Sequence, residues 1–108
     1  MRYLVTMETV DNGEALPPAD GAAYLEATVI PSLQALKELE DGGKIRGGVL
    51  SGRRGGAMVV DAASNEELGD MLRQLPVWGT SEVDITPLES FDHVAKATGE
   101  TANVLKSM

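Results

Sequence analysis

The order of hydrophobic patterns along the chain predicts an α+β fold, β-α-β-β-α-β, with a C-terminal helical tail. Short stretches of alternating apolar and polar residues indicate strands, apolar residues three or four apart indicate helices, and glycine or proline separates the two kinds. The 108 residues, 43% of them hydrophobic, suffice for one modest core. We therefore expect one domain over residues 1–91 and a tail over residues 92–108.

The first predicted strand covers residues 2–10, and the turn-forming residues 11–14 end it. Alternation divides the strand into two faces. One face is apolar and carries Tyr3, Val5 and Met7. The other face is mixed and carries Leu4, Thr6 and Glu8.

The first predicted helix runs from about residue 20 to residue 40, where leucine and valine recur at helical spacing. Asp20 is its expected N-cap, and Gly42-Gly43 is its expected stop. Pro31 lies inside this pattern and has no N–H to donate. We therefore expect a kink or a split in the helix near Ile30.

A hairpin and a second helix are predicted next. Strands over residues 44–51 and 56–62 flank the turn Gly52-Arg53-Arg54-Gly55. Ser64 and Glu67 then have the spacing of a capping box, in which Ser64 accepts from the amide of Glu67 and the glutamate reaches back. Four apolar residues at helical spacing follow, and Pro76 closes the helix: Leu68, Met71, Leu72 and Leu75.

The last predicted strand covers residues 82–90, after a loop over residues 77–81 that contains Trp78. Because Pro87 cannot donate to a ladder, this strand is expected at the sheet edge, or Pro87 at the end of the strand. Residues 92–107 have weaker helical periodicity, interrupted by Gly99.

The predicted order matches the ferredoxin-like split βαβ plan. Two helices cover one face of such a sheet, so the opposite face, which is expected to carry Leu4 and Leu50, needs another cover. Two sheets paired face to face supply it. We therefore expect a homodimer at least.

The composition of the chain argues against several classes of function. The formal charge of -8, from 17 acidic and nine basic side chains, opposes binding to nucleic acids and anionic membranes. The absence of cysteine excludes disulfides and thiol chemistry, and a single histidine makes a metal site improbable on chemical grounds. No segment has the pattern of a signal peptide or a membrane span. We therefore expect a soluble cytoplasmic domain.

Two residues are candidate proton acceptors. His93, the one histidine, follows the last strand, and histidine is the usual proton shuttle near neutral pH. The simpler interpretation is an exposed residue in the first turn of the tail helix. Glu8 lies on the mixed face of the first strand. If buried, it would have a raised pKa suited to abstracting a proton beside a carbonyl, and if exposed it is a solvated charge.

Other side chains suit substrate binding. Arg46 is expected to stabilise an enolate or bind a carboxylate, and Tyr24 to offer a hydroxyl at a pocket mouth. Trp78 suits the wall of a pocket for a planar ligand. Thr6 and Asp84 lie on mixed strand faces near the same site. Surface exposure or core packing is the alternative for each of the five.

Several segments resemble muconolactone isomerase and its relatives. They are the opening strand Tyr3-Leu4-Val5-Thr6-Met7, the run from Ala62 to Leu72, Leu75-Pro76-Val77-Trp78, and the strand from Val83 to Leu88. The resemblance covers about two-thirds of the chain and is best between residues 61 and 88. It implies a dimeric α+β barrel that assembles further and moves a double bond in a lactone by cofactor-free proton transfer.

The resemblance makes an isomerase or cyclase acting on a small carbonyl compound the leading hypothesis. His93 or Glu8 would be the base, and Arg46 or Tyr24 would stabilise the enolate. Three alternatives stay open: a cofactor-free monooxygenase of the same barrel superfamily, a non-catalytic small-ligand-binding barrel, and an assembly module that bridges subunits through residues 92–108.

Overall fold

A computed structural model describes residues 1–10 and 16–108 and has the predicted α+β order. Four antiparallel strands form one sheet in the order β2-β3-β1-β4. The strands are β1 (Arg2–Thr9), β2 (Ile45–Val49), β3 (Gly55–Asp61) and β4 (Ser81–Leu88). The predicted ferredoxin-like plan and the hairpin between the second and third strands are confirmed. The turn predicted over residues 11–14 lies outside the described residues.

The first helical region is divided into three parts: α1 (Pro18–Tyr24), a π-helical turn (Leu25–Val29) and α2 (Ile30–Asp41). An irregularity does occur at the expected place, but it is a π-helical turn through which the helical backbone continues, and the chain does not split near Ile30. Pro31 cannot donate to the carbonyl four residues earlier, and just before it the amide of Ile30 donates to the carbonyl of Leu25 five residues back. The helix ends before Gly42-Gly43, as predicted.

The predicted start of this helix was wrong. Pro17, not Asp20, occupies the N-cap position, and no side chain caps the helix. The fixed φ of Pro18 suits the first helical position, so the helix begins two residues earlier than predicted. Asp20 then lies in the first turn, where its negative charge is favourable to the helix dipole. Tyr24 consequently ends α1 and does not lie in its first turn.

In the second half of the chain, the helix α3 (Asn65–Arg73) packs against the sheet and contributes to the buried core. The amide of Glu67 donates to Ser64 Oγ over 3.1 Å, as the capping box requires. The Glu67 carboxylate accepts from the amide of Ala63 over 2.6 Å, one residue before the N-cap, and also pairs with Lys44. The buried core contains residues from three strands and the α3 region: Tyr3, Val5, Met7, Ile45, Met58, Val60, Ala62, Leu68, Leu72 and Leu75.

Strand register fixes which residues share a face of the sheet. Val5 of β1 is paired with Met58 of β3 and Ile85 of β4, so these residues face the helices. Leu4 is paired with Val59 and Thr86, so these residues face the other way. That second face, called here the open face, has no helix over it among the described residues. Leu4 lies on it as predicted, whereas Leu50 lies beyond β2 and is half-buried.

The C-terminal part departs from the prediction in one place. A 3₁₀ turn (Pro76–Thr80) occupies the stretch predicted as a loop. β4 is an edge strand with Pro87 near its end, as predicted. A single helix, α4 (Phe91–Lys106), follows and passes through Gly99 without a break; Ser90 caps it by accepting from the amide of His93 over 3.1 Å. Among the described residues, no helix has the length and apolar character to cross a membrane.

Candidate functional site

A cleft of about 1270 Å³ lies between the first helical region and the sheet. The helical wall carries Tyr24, Leu25, Leu33 and Leu36, and the hairpin of β2 and β3 forms much of the other wall. Val77 and Thr80 of the 3₁₀ turn close one side. A concave, mainly apolar surface with a few polar groups is the usual form of a small-molecule site.

Glycines in the hairpin create the cleft. Gly47 and Gly56 lie on the helix-facing side, paired with Met58 and Met7 respectively, and neither has a side chain to fill the space beneath the helix. A Cβ on Gly47 would lie 2.1 Å from the carbonyl oxygen of Ala57, so only glycine fits there. The close approach of the β2 and β3 backbones therefore requires glycine at position 47.

Hydrogen bonds fix the wall of the cleft nearest the 3₁₀ turn. Tyr24 Oη and Thr80 Oγ1 lie 3.0 Å apart. Ser32 is 2% exposed, donates to the carbonyl of Thr28 over 2.8 Å and accepts from the amide of Val77 over 3.0 Å. Ser32 thus ties the π-helical turn to the 3₁₀ turn. The Tyr24 hydroxyl, at the end of α1, is held at the cleft by its contact with Thr80 of the same 3₁₀ turn.

Basic side chains outnumber acidic ones among the described residues of the cleft lining, although the protein has a net charge of -8. Three of its nine basic residues line the cleft, namely Lys37, Arg53 and Arg54, together with one described carboxylate, Glu40. Arg53 Nε lies 3.5 Å from Glu8 Oε1. Two adjacent guanidinium groups at one apolar cleft suit a ligand that carries a carboxylate.

The structure brings one of the predicted site residues to this cleft. Tyr24 is half-buried and lines it. Glu8, Thr6, Arg46 and Asp84 share the open face, where Thr6 is paired with Asp84 in the neighbouring strand. Glu8 is connected to the cleft only through its ion pair with Arg53.

The two remaining predicted residues lie apart from the cleft. Trp78 is in the 3₁₀ turn, is 36% exposed and is not part of the cleft lining, although its neighbours Val77 and Thr80 are. His93 lies in the first turn of α4 and is exposed. Their roles in binding and catalysis stay predictions.

Sequence reasoning missed Arg53, Arg54 and Glu40 as site residues. The sequence predicted both arginines only as turn residues. They line the cleft only once the hairpin has folded beside the helical region, and no local pattern predicts that arrangement. Glu40 and Lys37 carried a usable signal: they continue the helical spacing of Leu33 and Leu36, which face the same cleft. Within residues 1–10 and 16–108, no three His, Asp or Glu side chains are grouped closely enough to hold a metal ion.

The fold and the cleft define a class: a small α+β protein with a helix-covered sheet and a mainly apolar cleft beside that sheet. The chain belongs to the muconolactone delta-isomerase family, whose sequence model matches residues 1–94. No curated protein sequence matches the chain significantly.

Two solved structures are similar to this chain. A crystal structure of muconolactone isomerase has a TM-score of 0.65 and 25% sequence identity, and the match covers 83% of this chain and 90% of that one. A 5-chloro-2-hydroxyhydroquinone dehydrochlorinase from Burkholderia phenoliruptrix AC1100, in complex with 2,5-dihydroxybenzoquinone, has a TM-score of 0.61 and 17% identity, and covers 86% of this chain and 98% of that one. The second likeness supports the fold alone.

Proposed function

We propose that this protein is a cofactor-independent enzyme that isomerises or cyclises a small lactone or related carbonyl compound by proton transfer. Family membership over residues 1–94 is the observation that carries the proposal. The cleft between helix and sheet is the proposed substrate site, since it combines apolar walls with a hydroxyl, a carboxylate and guanidinium groups.

The proposed chemistry is an internal rearrangement. A base removes a proton from a carbon activated by the carbonyl, and negative charge moves onto the carbonyl oxygen. A proton returns at another carbon of the conjugated system, so the double bond moves and the atomic composition is unchanged. Such a reaction needs a base and a donor for the enolate oxygen.

Tyr24 is the proposed donor to the enolate oxygen. Its ring lines the cleft, and its hydroxyl is 3.0 Å from Thr80 Oγ1. If Thr80 donates to Tyr24, the phenol hydrogen remains available for the substrate, and negative charge on the substrate oxygen strengthens that hydrogen bond.

Glu40 is the one carboxylate among the described residues that lines the cleft. It lies 16 residues from Tyr24 along the helical region, roughly 24 Å at 1.5 Å per residue, so a small substrate that accepts from Tyr24 does not reach it. Glu8, the base suggested by the sequence, lies on the open face and engages Arg53. Arg53 and Arg54 are proposed to bind an anionic group of the substrate at the hairpin end of the cleft.

We also propose that two copies pair through their open faces. Leu4 and Leu88 are 39% and 42% exposed on that face, and Val59 lies beside Leu4 in register. An apolar strip of this kind is buried when two sheets pack face to face. This pairing is separate from the cleft, which lies on the helix side of the sheet.

Proton abstraction is tested with muconolactone in D₂O, by following deuterium incorporation and double-bond migration by NMR. We expect wild-type protein to do both. Tyr24→Phe should lower kcat by about 10²–10³-fold because it removes one enolate donor. Glu40→Gln is the control within the cleft and should leave the rate of exchange unchanged, because Glu40 lies roughly 24 Å along the helix from Tyr24.

Glu38→Gln is a second control, since Glu38 lies on α2 near Glu40 and does not line this cleft. Its activity should equal that of wild type. Full activity in Tyr24→Phe, with loss in Glu8→Gln or His93→Ala, would contradict the cleft assignment. Binding of muconolactone without exchange or turnover would favour a binding module, and oxygen uptake with an activated aromatic substrate would favour a monooxygenase.

A further inference from the structure

The hydroxyl of Thr80 has one hydrogen and two neighbours that can accept it. Its Oγ1 lies 3.3 Å from the carbonyl oxygen of Val77 and 3.0 Å from the hydroxyl oxygen of Tyr24. A hydroxyl donates one hydrogen bond and accepts others. When Thr80 donates to Val77, the hydrogen between Thr80 and Tyr24 must come from Tyr24. When Thr80 donates to Tyr24, the hydrogen of the phenol is free for another acceptor.

These two arrangements differ only in where hydrogens point. A phenol is a stronger donor than an aliphatic alcohol, so without a ligand Tyr24 donates to Thr80 and Thr80 donates to Val77. The bond to Val77 is weak, since its 3.3 Å exceeds the roughly 2.5–3.0 Å that is usual between two oxygens. Rotation of the Thr80 hydroxyl toward Tyr24 therefore loses little and moves no heavy atom.

The backbone around Thr80 is fixed from two sides. The amide of Val10 donates to the carbonyl of Thr80 over 2.9 Å, which ties the 3₁₀ turn to the end of β1. The amide of Val77 donates to Ser32, which is buried. Threonine is β-branched and has few side-chain conformations. The Thr80 hydroxyl thus has a defined position at the wall of the cleft.

The helix that carries Tyr24 packs less tightly. α1 has no buried residue, and Tyr24 ends it directly before the π-helical turn. The side chain of Tyr24 is half-buried, and its hydroxyl contacts Thr80. A donor to a developing oxyanion is effective when it is held in place before the reaction. The rigid 3₁₀ turn, through Thr80, supplies a fixed position that α1 by itself does not.

We propose that Thr80 is a positioning residue for the oxyanion donor Tyr24. As negative charge develops on the carbonyl oxygen of the substrate, the phenol hydrogen turns to that oxygen and the Thr80 hydrogen turns from Val77 to Tyr24. The two hydrogen bonds then form a chain that ends on a charged acceptor, and each strengthens the other. No covalent bond forms or breaks in this change. The inference rests on the proposed function in taking Tyr24 as the donor.

Two substitutions separate the hydroxyl of Thr80 from its shape. Thr80→Val keeps the branched side chain without the hydroxyl, and Thr80→Ser keeps the hydroxyl. With muconolactone, we expect Thr80→Val to lower kcat about tenfold at nearly unchanged KM, and Thr80→Ser to stay within about threefold of wild type. Thr101→Val is the matched control and should have wild-type activity, since the Thr101 hydroxyl also donates to a backbone carbonyl, that of Ala97, on the exposed helix α4.

A double variant tests whether Thr80 acts through Tyr24. In Tyr24→Phe the Thr80 hydroxyl has no donor to position, so addition of Thr80→Val should leave kcat at the value of Tyr24→Phe alone. A further loss as large as that in the single Thr80→Val variant would overturn the proposal, because Thr80 would then act independently of the phenol. Wild-type kcat in Thr80→Val would also overturn it.

An NMR signal of Tyr24 reports the contact without turnover. Protein with ¹³Cζ-labelled tyrosine gives signals from its two tyrosines, and Tyr24→Phe identifies which belongs to Tyr24. We expect this signal to move in Thr80→Val and to return in Thr80→Ser. The signal of Tyr3, which is buried and donates to Asn65, should stay in place and show that the fold is intact.

An unmoved Tyr24 signal in Thr80→Val would refute the positioning role, whether or not the protein acts on muconolactone. If wild-type protein shows no deuterium exchange while the Tyr24 signal moves as expected, the proposed reaction fails and the contact stands. The two failures are therefore distinguishable.

Discussion

The two helical regions that cover the sheet differ in how closely they pack against it. α3 buries Leu68 and Leu72, which are 3% and 0% exposed. The longer region formed by α1, the π-helical turn and α2 buries one residue, Ser32, and that residue is polar. One half of the fold thus builds the core, while the other half spans a cleft.

This difference in packing depends on the strands that each helix faces as well as on the helices themselves. The hairpin beneath the first region presents glycine at Gly47 and Gly56, so leucines such as Leu33 have no side chains to pack against there. Hydrogen bonds through Ser32 and Tyr24 anchor that region. A helix held at one side by polar contacts leaves space at the other, and this space is where we place the substrate.

The largest expected effect is a difference in stability between two leucine-to-alanine variants. Leu72→Ala should lower the free energy of unfolding by about 2–5 kcal/mol, because a cavity remains in the packed core. Leu33→Ala should change it by less than about 0.5 kcal/mol, because Leu33 is 45% exposed at the cleft. Urea denaturation followed by circular dichroism measures both. Equal losses would mean that the first helical region packs as tightly as α3.

A second contrast concerns the cleft floor. Gly47→Ala places a methyl group 2.1 Å from a backbone oxygen and should cost about 1–3 kcal/mol through displacement of the hairpin. Gly48→Ala is the matched control, since nothing lies within 4 Å of the added carbon. The denaturation midpoints of the two variants are compared. A lower midpoint for Gly47→Ala alone indicates a steric clash at that position, and equal midpoints indicate a general effect of replacing glycine in this strand. A tolerated Gly47→Ala would show that the floor is not constrained as described.

The smallest expected effect concerns pH and the start of α3. The hydrogen bond from Lys44, followed by that from the amide of Ala63, lowers the pKa of Glu67 below its ordinary value of 4.5. A lowered folded pKa stabilises the protein fully above about pH 4.5, and the stabilisation is lost as the pH falls through the folded pKa.

Glu67→Gln should therefore lower Tm at pH 7, and the gap to wild type should narrow in acid. Glu66→Gln, one residue away, serves as the control. A gap that stays constant between pH 7 and pH 3 would exclude ionisation of Glu67 as its cause.

Local signals made most of the fold predictable. The capping box at Ser64 and the glycine-bounded hairpin turn each lie within a few residues of sequence, and both are confirmed. Gly52 adopts φ +84 in that turn, a conformation that L side chains rarely adopt. The misplaced start of α1 shows the limit, because a proline at the first helical position outweighed an aspartate two residues later.

The site was less predictable because it depends on tertiary register. Tyr24 was found by its residue type, but Arg53 and Arg54 reach the cleft only when the hairpin folds across the sheet. Thr6, Arg46 and Asp84 lie together on one face of the sheet, and that face is opposite the cleft. Alternation fixes which residues share a face, and it does not reveal which face adjoins a cavity.

Mapping of the muconolactone contact by amide NMR tests the central claim most directly, namely that the cleft beneath the first helical region binds substrate. Titration of the ¹⁵N-labelled protein should shift the amide signals of Tyr24, Gly47 and Gly56. Shifts confined to Thr6, Arg46 and Asp84 on the open face would contradict the account.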